Sequence, residues 1–100
     1  MDQPAPDPHT RWRRQPGATW RYSLGGVVVL APGAEDPVTI AGSGGAVWEL
    51  LARPRSTEEL ARELSERFST DPANLTEDLG ALLGRLAAAG ALEEVPPLGA

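Results

Sequence analysis

The chain has 100 residues, 41% of them hydrophobic and 5% aromatic, with a formal charge of −5 and nine basic groups that are all arginine. That length supports one small core built on Leu, Val and Ala, and leaves no room for a second. The lack of cysteine excludes disulfides, thiolate nucleophiles and Cys-ligated metals, and the acidic balance speaks against sequence-independent nucleic-acid binding, whose affinity comes from phosphate neutralisation.

No apolar run approaches the roughly 20 residues that span a bilayer, and no basic segment followed by an apolar one marks a secretory signal. The expectation is a cytoplasmic protein that does not engage membrane, a monomer or weak dimer. Residues 1–12 hold Pro4, Pro6 and Pro8 among small polar residues and read as a disordered tail. At its end Arg11, Arg13 and Arg14 flank Trp12. The simpler reading packs Trp12 on the domain with the arginines in water; the functional one is a contact for an acidic peptide or partner protein.

Ala18 to Ser23 and Val27 to Leu30 read as a hairpin around Gly25-Gly26, and Pro37 to Ile40 as a third strand suited to an edge, since Pro37 lacks an N–H. A first helix is expected from Ser43 to Ala52, capped by Ser43 and stopped before Pro54. Gly44 and Gly45 each weaken its first turn by about 1 kcal/mol relative to alanine, so either the start is soft or the backbone there approaches something closely.

Ser56 and Glu59 form a capping-box pattern for a second helix, with Leu60, Ala61, Leu64 and Phe68 inward and Glu63, Glu66 and Arg67 outward. A third opens at Asp71-Pro72 and ends near Ala89 before Gly90. Leu75, Leu79, Leu82, Leu83 and Leu86 occupy one arc of it, bordered on one side by Asp78 and Arg85. Gly80 and Gly84 reflect composition rather than close packing. Ala91 to Val95 adds a short strand or packs Leu92 on the core, and residues 96–100 read as a flexible end.

The chemistry inventory is thin. His9 stands alone in the tail as solvent-exposed filler, no set of residues completes a metal site, and Ser43 has neither a P-loop lysine nor a histidine base. Glu58, Glu59, Glu63 and Glu66 form a solvated face. The expectation is a protein that is not an enzyme and needs no cofactor or metal. Strands followed by three helices give an α+β winged helix-turn-helix, a three-stranded antiparallel sheet and then three helices. Such a fold raises the alternative of a DNA-binding transcription regulator, but the third helix offers mainly Asn74, Glu77, Asp78 and Arg85 to a groove. A structural subunit with no peptide ligand is a third class.

The ordered spacing of Pro16-Gly17, Val28-Val29-Leu30-Ala31-Pro32, Ile40 to Leu51, Ser56-Thr57-Glu58-Glu59-Leu60, Leu64, Phe68, Asp71-Pro72, Asp78-Leu79, Leu82, Leu86 and Gly90-Ala91-Leu92 resembles the PqqD-like family. Its members are recognition elements of ribosomally synthesised, post-translationally modified peptide (RiPP) pathways. The resemblance covers residues 13–95; the family commonly has asparagine where this chain has Ala41, and small helix-forming residues at Gly44 and Gly45.

What the resemblance implies is a domain that holds the leader peptide of a precursor as an added strand and presents it to a modifying enzyme such as a radical SAM protein, a peptidase or a cyclase. Main-chain hydrogen bonds would supply affinity and side-chain pockets specificity. Carried onto this sequence, the edge is Val38, Thr39 and Ile40, and the groove wall is Leu75, Asp78, Leu79, Leu82 and Arg85.

Overall fold

The computed structural model describes residues 9–95. In chain order they form β1 (Arg11–Arg14), β2 (Thr19–Ser23), β3 (Gly26–Leu30), β4 (Val38–Ala41), α1 (Gly44–Leu50), β5 (Arg55–Ser56), α2 (Thr57–Phe68), α3 (Pro72–Ala88) and β6 (Leu92–Val95). The architecture is α+β, and the expected antiparallel sheet is present in the order β2-β3-β4. A second antiparallel sheet, β5-β1-β6, was not expected.

That second sheet moves the start of the domain. Arg11 and Trp12, assigned to the tail, lie in the central strand of β5-β1-β6, with Arg11 opposite both Ser56 and Val95. The remaining tail residues 1–8, and the C-terminal residues 96–100, lie outside the described residues. Trp12 packs half-buried against the core. The arginines beside it are not simply solvated: Arg13 pairs with its cross-strand neighbour Glu93 at 2.7 Å, and Arg11 pairs with Glu59 through two hydrogen bonds of 3.0 and 3.1 Å. Glu63 accepts from Arg55 at 2.6 Å, and Glu58 lies 3.0 Å from the exposed His9. Two residues of the acidic face of α2, Glu59 and Glu63, are thus paired with β1 and β5.

Arg14 ties the two sheets together. Its Nε and Nη2 donate to the Trp48 carbonyl at 2.9 and 2.7 Å, and its backbone N–H donates to Leu51 at 3.2 Å. Carbonyls in the last turn of a helix have no intrahelical partner and favour positive charge, so β1 caps the end of α1. The guanidinium also sits 4.7 and 5.0 Å from the rings of Trp20 and Trp48. Partial burial draws its pKa below the ordinary arginine value, while Tyr22 and Glu49 oppose the shift.

Helix α1 is shorter than the expected 43–52. Beyond Leu50 the chain tightens into turns in which Ala52 and Arg53 donate to Glu49 and Leu50. Ser43 occupies the N-cap position without a side-chain hydrogen bond, because its backbone is already helical (φ −64°, ψ −15°); a capping side chain needs the extended conformation. Of the two readings of Gly44, close approach holds, since a Cβ there would collide with Cγ2 of Ile40.

The capping box of α2 is complete: Ser56 Oγ accepts from Glu59 N–H at 3.1 Å, and Glu59 Oε1 accepts from Ser56 N–H at 3.0 Å. Partial burial pushes the Glu59 carboxyl up, but the Ser56 N–H and the Arg11 guanidinium outweigh it and hold the pKa below the ordinary glutamate value of 4.5. A depressed folded pKa contributes stability that is complete above the unfolded value and is lost as pH falls through the folded one. Urea unfolding is therefore expected to weaken progressively below about pH 4.5, and Glu59→Gln is expected to flatten part of that slope.

Asp71 accepts from Ala73 N–H at 3.0 Å to cap α3. At the other end Gly90 adopts φ +80°, with Gly90 N–H bonded to Ala87 and Ala91 N–H to Leu86, the double bond of a glycine-terminated helix. Leu79, Leu83 and Leu86 are buried, and they meet Val27, Val29, Ile40, Trp48, Leu51, Leu60 and Leu64 in one core. Strand β6 forms, and Leu92 is buried as well. A Cβ at Gly80 or Gly84 would meet nothing within 4 Å. Gly80→Ala and Gly84→Ala are therefore each expected to raise stability by about 0.5–1 kcal/mol, read as a higher urea midpoint.

Candidate functional site

The groove begins at the edge of β4. The two-residue Leu24-Gly25 turn closes on the Ser23–Gly26 pair, with Gly25 at φ +81°. In an antiparallel ladder, residues alternate between facing one neighbour and the other. Gly42 N–H donates to the Gly25 carbonyl at 2.7 Å, and Ile40 and Val38 follow in register opposite Val27 and Val29. Their main-chain groups face β3. Thr39 and Ala41 therefore turn N–H and C=O the other way, where no described strand pairs with β4.

Beside that open edge runs a groove of about 450 Å³ between β4, the start of α1 and the helices α2 and α3. It brings together Thr39, Ile40, Leu75, Asp78, Leu79, Leu82 and Arg85 from the expected set. Val38 is not among its lining; it shares the inward face with Ile40 and packs half-buried on the core. Ile40 is only 2% exposed, so its side chain is a core residue at the floor. Thr39, Asp78 and Arg85 are exposed, Leu79 is buried, and Leu75 and Leu82 are half-buried with one side toward the groove. Leu86 is fully buried and belongs to the core.

Ala41, Ser43, Gly44, Val47, Leu64 and Phe68 also line the groove and were not assigned to it from sequence. Phe68 is the instructive one. Its helical position falls in the same arc as Ala61 and Leu64, so periodicity turns it inward. It is the last residue of α2, followed by Ser69 at φ 53°, and it remains 49% exposed. The missing access at Gly44 is legible in hindsight: without a Cβ, the start of α1 lies against Ile40 and within reach of Leu82.

The groove is apolar along its floor and charged at its rim. Neither Asp78 nor Arg85 has an ion-pair or hydrogen-bond partner among the described residues. Among the described residues no group of three His, Cys, Asp or Glu side chains could hold a metal ion. No described helix is long and apolar enough to cross a membrane. What the arrangement offers is an unpaired strand edge beside an apolar trough, which suits an extended peptide.

The sequence model of the family described as coenzyme PQQ synthesis protein D (PqqD) matches residues 26–92. No curated protein sequence matches the chain. Among solved structures, the chain is similar to the solution NMR structure of the PqqD truncation of Methylobacterium extorquens PqqCD, with a TM-score of 0.73 and 25% identity. The match covers 87% of this chain and 93% of that one. That protein is described as a functional and stand-alone RiPP recognition element.

Proposed function

The chain belongs to the PqqD family, and on that premise we propose that it is a non-catalytic recognition element for a ribosomally made precursor peptide. The leader segment adds as a strand to the open edge of β4, lays alternate side chains into the groove beside α3, and is presented to a separate modifying enzyme. A radical SAM protein, a peptidase or a cyclase would each fit that role. The observation that carries the reading is the outward pair of main-chain groups at Thr39 and Ala41 bordering an apolar groove. The solved relative, itself a RiPP recognition element, supports it.

The physics divides the work. Main-chain hydrogen bonds to Thr39 and Ala41 are indifferent to sequence, and each contributes about 0.5–1.5 kcal/mol net. The trough over Leu79 and Leu82, closed by Val47, Leu64 and Phe68, rewards an apolar side chain at about 25 cal/mol per Å² removed from water. Affinity is then a sum of backbone pairing and one or two buried anchors.

The test is an NMR titration of labelled protein with the leader of a precursor encoded beside its gene. The amides of Thr39 and Ala41 are expected to gain hydrogen-exchange protection, while that of Ile40, already directed at β3, changes little. Shifts are also expected along α3 at Leu75, Leu79 and Leu82. If these amides stay unmoved at high micromolar peptide, strand addition fails for that leader; salt-dependent shifts with duplex DNA instead would transfer the groove to the nucleic-acid reading.

A further inference from the structure

The rim of the groove carries information about its occupant. Asp78 and Arg85 lie two turns apart on the same side of α3, before and after Leu79 and Leu82 along its axis, both exposed and both lining the groove. Arg11, Arg13, Arg14 and Arg55 are held by protein acceptors, whereas the side chains of Asp78 and Arg85, like those of Arg21, Arg53, Arg62 and Arg67, meet no described protein partner; Asp78 and Arg85 are the two charged residues that line the groove. Seven residues along α3 separate them by about 10.5 Å.

We infer that the groove selects an extended peptide with a cationic side chain at one end, an apolar one in the middle and an anionic one at the other, all on one strand face. The inference rests on the strand-addition reading. Side chains on one face of a strand recur every two residues, about 6.8 Å, so positions i and i+4 lie about 13.6 Å apart. The arginine and a peptide lysine or arginine extend several ångströms from their backbones and absorb the difference of about 3 Å. A closer spacing, i and i+2, would leave no side chain over the apolar floor between the charges. Where the N-terminal end of the added strand lies by Asp78 the preferred pattern is basic-x-apolar-x-acidic, and where the strand runs the other way it is acidic-x-apolar-x-basic, with the cation against Asp78 and the anion against Arg85 in both.

The test uses three kinds of capped synthetic peptide that share flanking residues and differ at two positions: a mixed one made in both orders, with central segments Lys-Thr-Phe-Thr-Glu and Glu-Thr-Phe-Thr-Lys, and like-charged versions with two lysines or two glutamates. Binding is read by NMR titration of the full chain at low salt. The wild-type protein is expected to bind the mixed peptide, in the order that suits the strand direction, about threefold to tenfold more tightly than either like-charged one, as exposed ion pairs allow. Asp78→Lys is expected to move the preference to the two-glutamate peptide, and Arg85→Glu to the two-lysine peptide. Both substitutions fall on exposed side chains without partners, so the amide fingerprint away from the groove stays that of the native fold. If all three kinds of peptide bind with one ranking in every variant, the charge selection is overturned while the groove stands. If no peptide shifts any groove amide at about 1 mM while the encoded leader does, the charge pattern is overturned and strand addition stands.

Discussion

Trp48→Ala is expected to remove about 3–5 kcal/mol of stability, the cost of deleting a large buried aromatic. The side chain is fully buried, meets Trp20 edge-on with ring centroids 6.2 Å apart, and lies under the Arg14 guanidinium. A domain of this size has about 5–15 kcal/mol in all, so the variant sits near the edge of folding, and its melting temperature is expected to drop by about 12 °C or more, at about 4–8 °C per kcal/mol. Trp48→Phe is the informative companion. The indole Nε1 has no hydrogen-bond partner among the described residues despite its burial, and removing an unsatisfied donor recovers part of the lost packing. Urea unfolding followed by circular dichroism measures both; an alanine variant within 1 kcal/mol of the parent would refute the place given to Trp48 at the junction of α1 and the two sheets.

Thr39→Pro is expected to weaken leader binding about tenfold or more while leaving the domain folded. The reasoning turns on one N–H. Thr39 directs its amide away from β3, so proline there removes no ladder bond inside the sheet; proline is accepted on edge strands in that orientation. What it removes is a donor to an incoming strand, and its ring occupies the space where that strand must pair. Thr39→Ala keeps the N–H and is expected to bind within about threefold of the parent, because main-chain pairing is insensitive to the side chain. Isothermal titration with the leader peptide reads both affinities, and a thermal melt separates lost binding from lost fold. Equal loss in the two variants would place the interaction on the Thr39 side chain and not on the backbone.

The two variants mark what sequence reading could and could not reach. The third strand and the third helix were legible, because a β-branched run closed by Pro and Gly and a leucine stripe bounded by Asp71 and Gly90 each carry a periodicity and a stop; the groove residues followed from the resemblance to the PqqD-like family. The capping box of α2 was legible for the same reason: Ser56 and Glu59 act across one turn. The open main-chain groups were not, since parity along β4 follows from the Gly42–Gly25 hydrogen bond and the hairpin closure. A slip of one residue exchanges Thr39 and Ala41 for Val38 and Ile40. The same limit explains Val38, which faces inward with Ile40 and leaves the groove.

Elements whose stabilising contacts lie within a turn or a strand were set by local chemistry: the caps of α2 and α3, the apolar arcs and the hairpin all follow from neighbours along the chain. Elements whose partners are distant in sequence were not. Strand β1 has only four residues and no apolar alternation; it exists because Arg11–Arg14 pairs with Leu92–Val95 and Arg55–Ser56 and because Arg14 finds the carbonyl of Trp48. Phe68 is exposed because no described element covers the end of α2, although its helical phase points inward. Periodicity reports which face of an element is apolar; what that face meets depends on pairings across 40 or 80 residues, and those are settled only when the chain closes on itself.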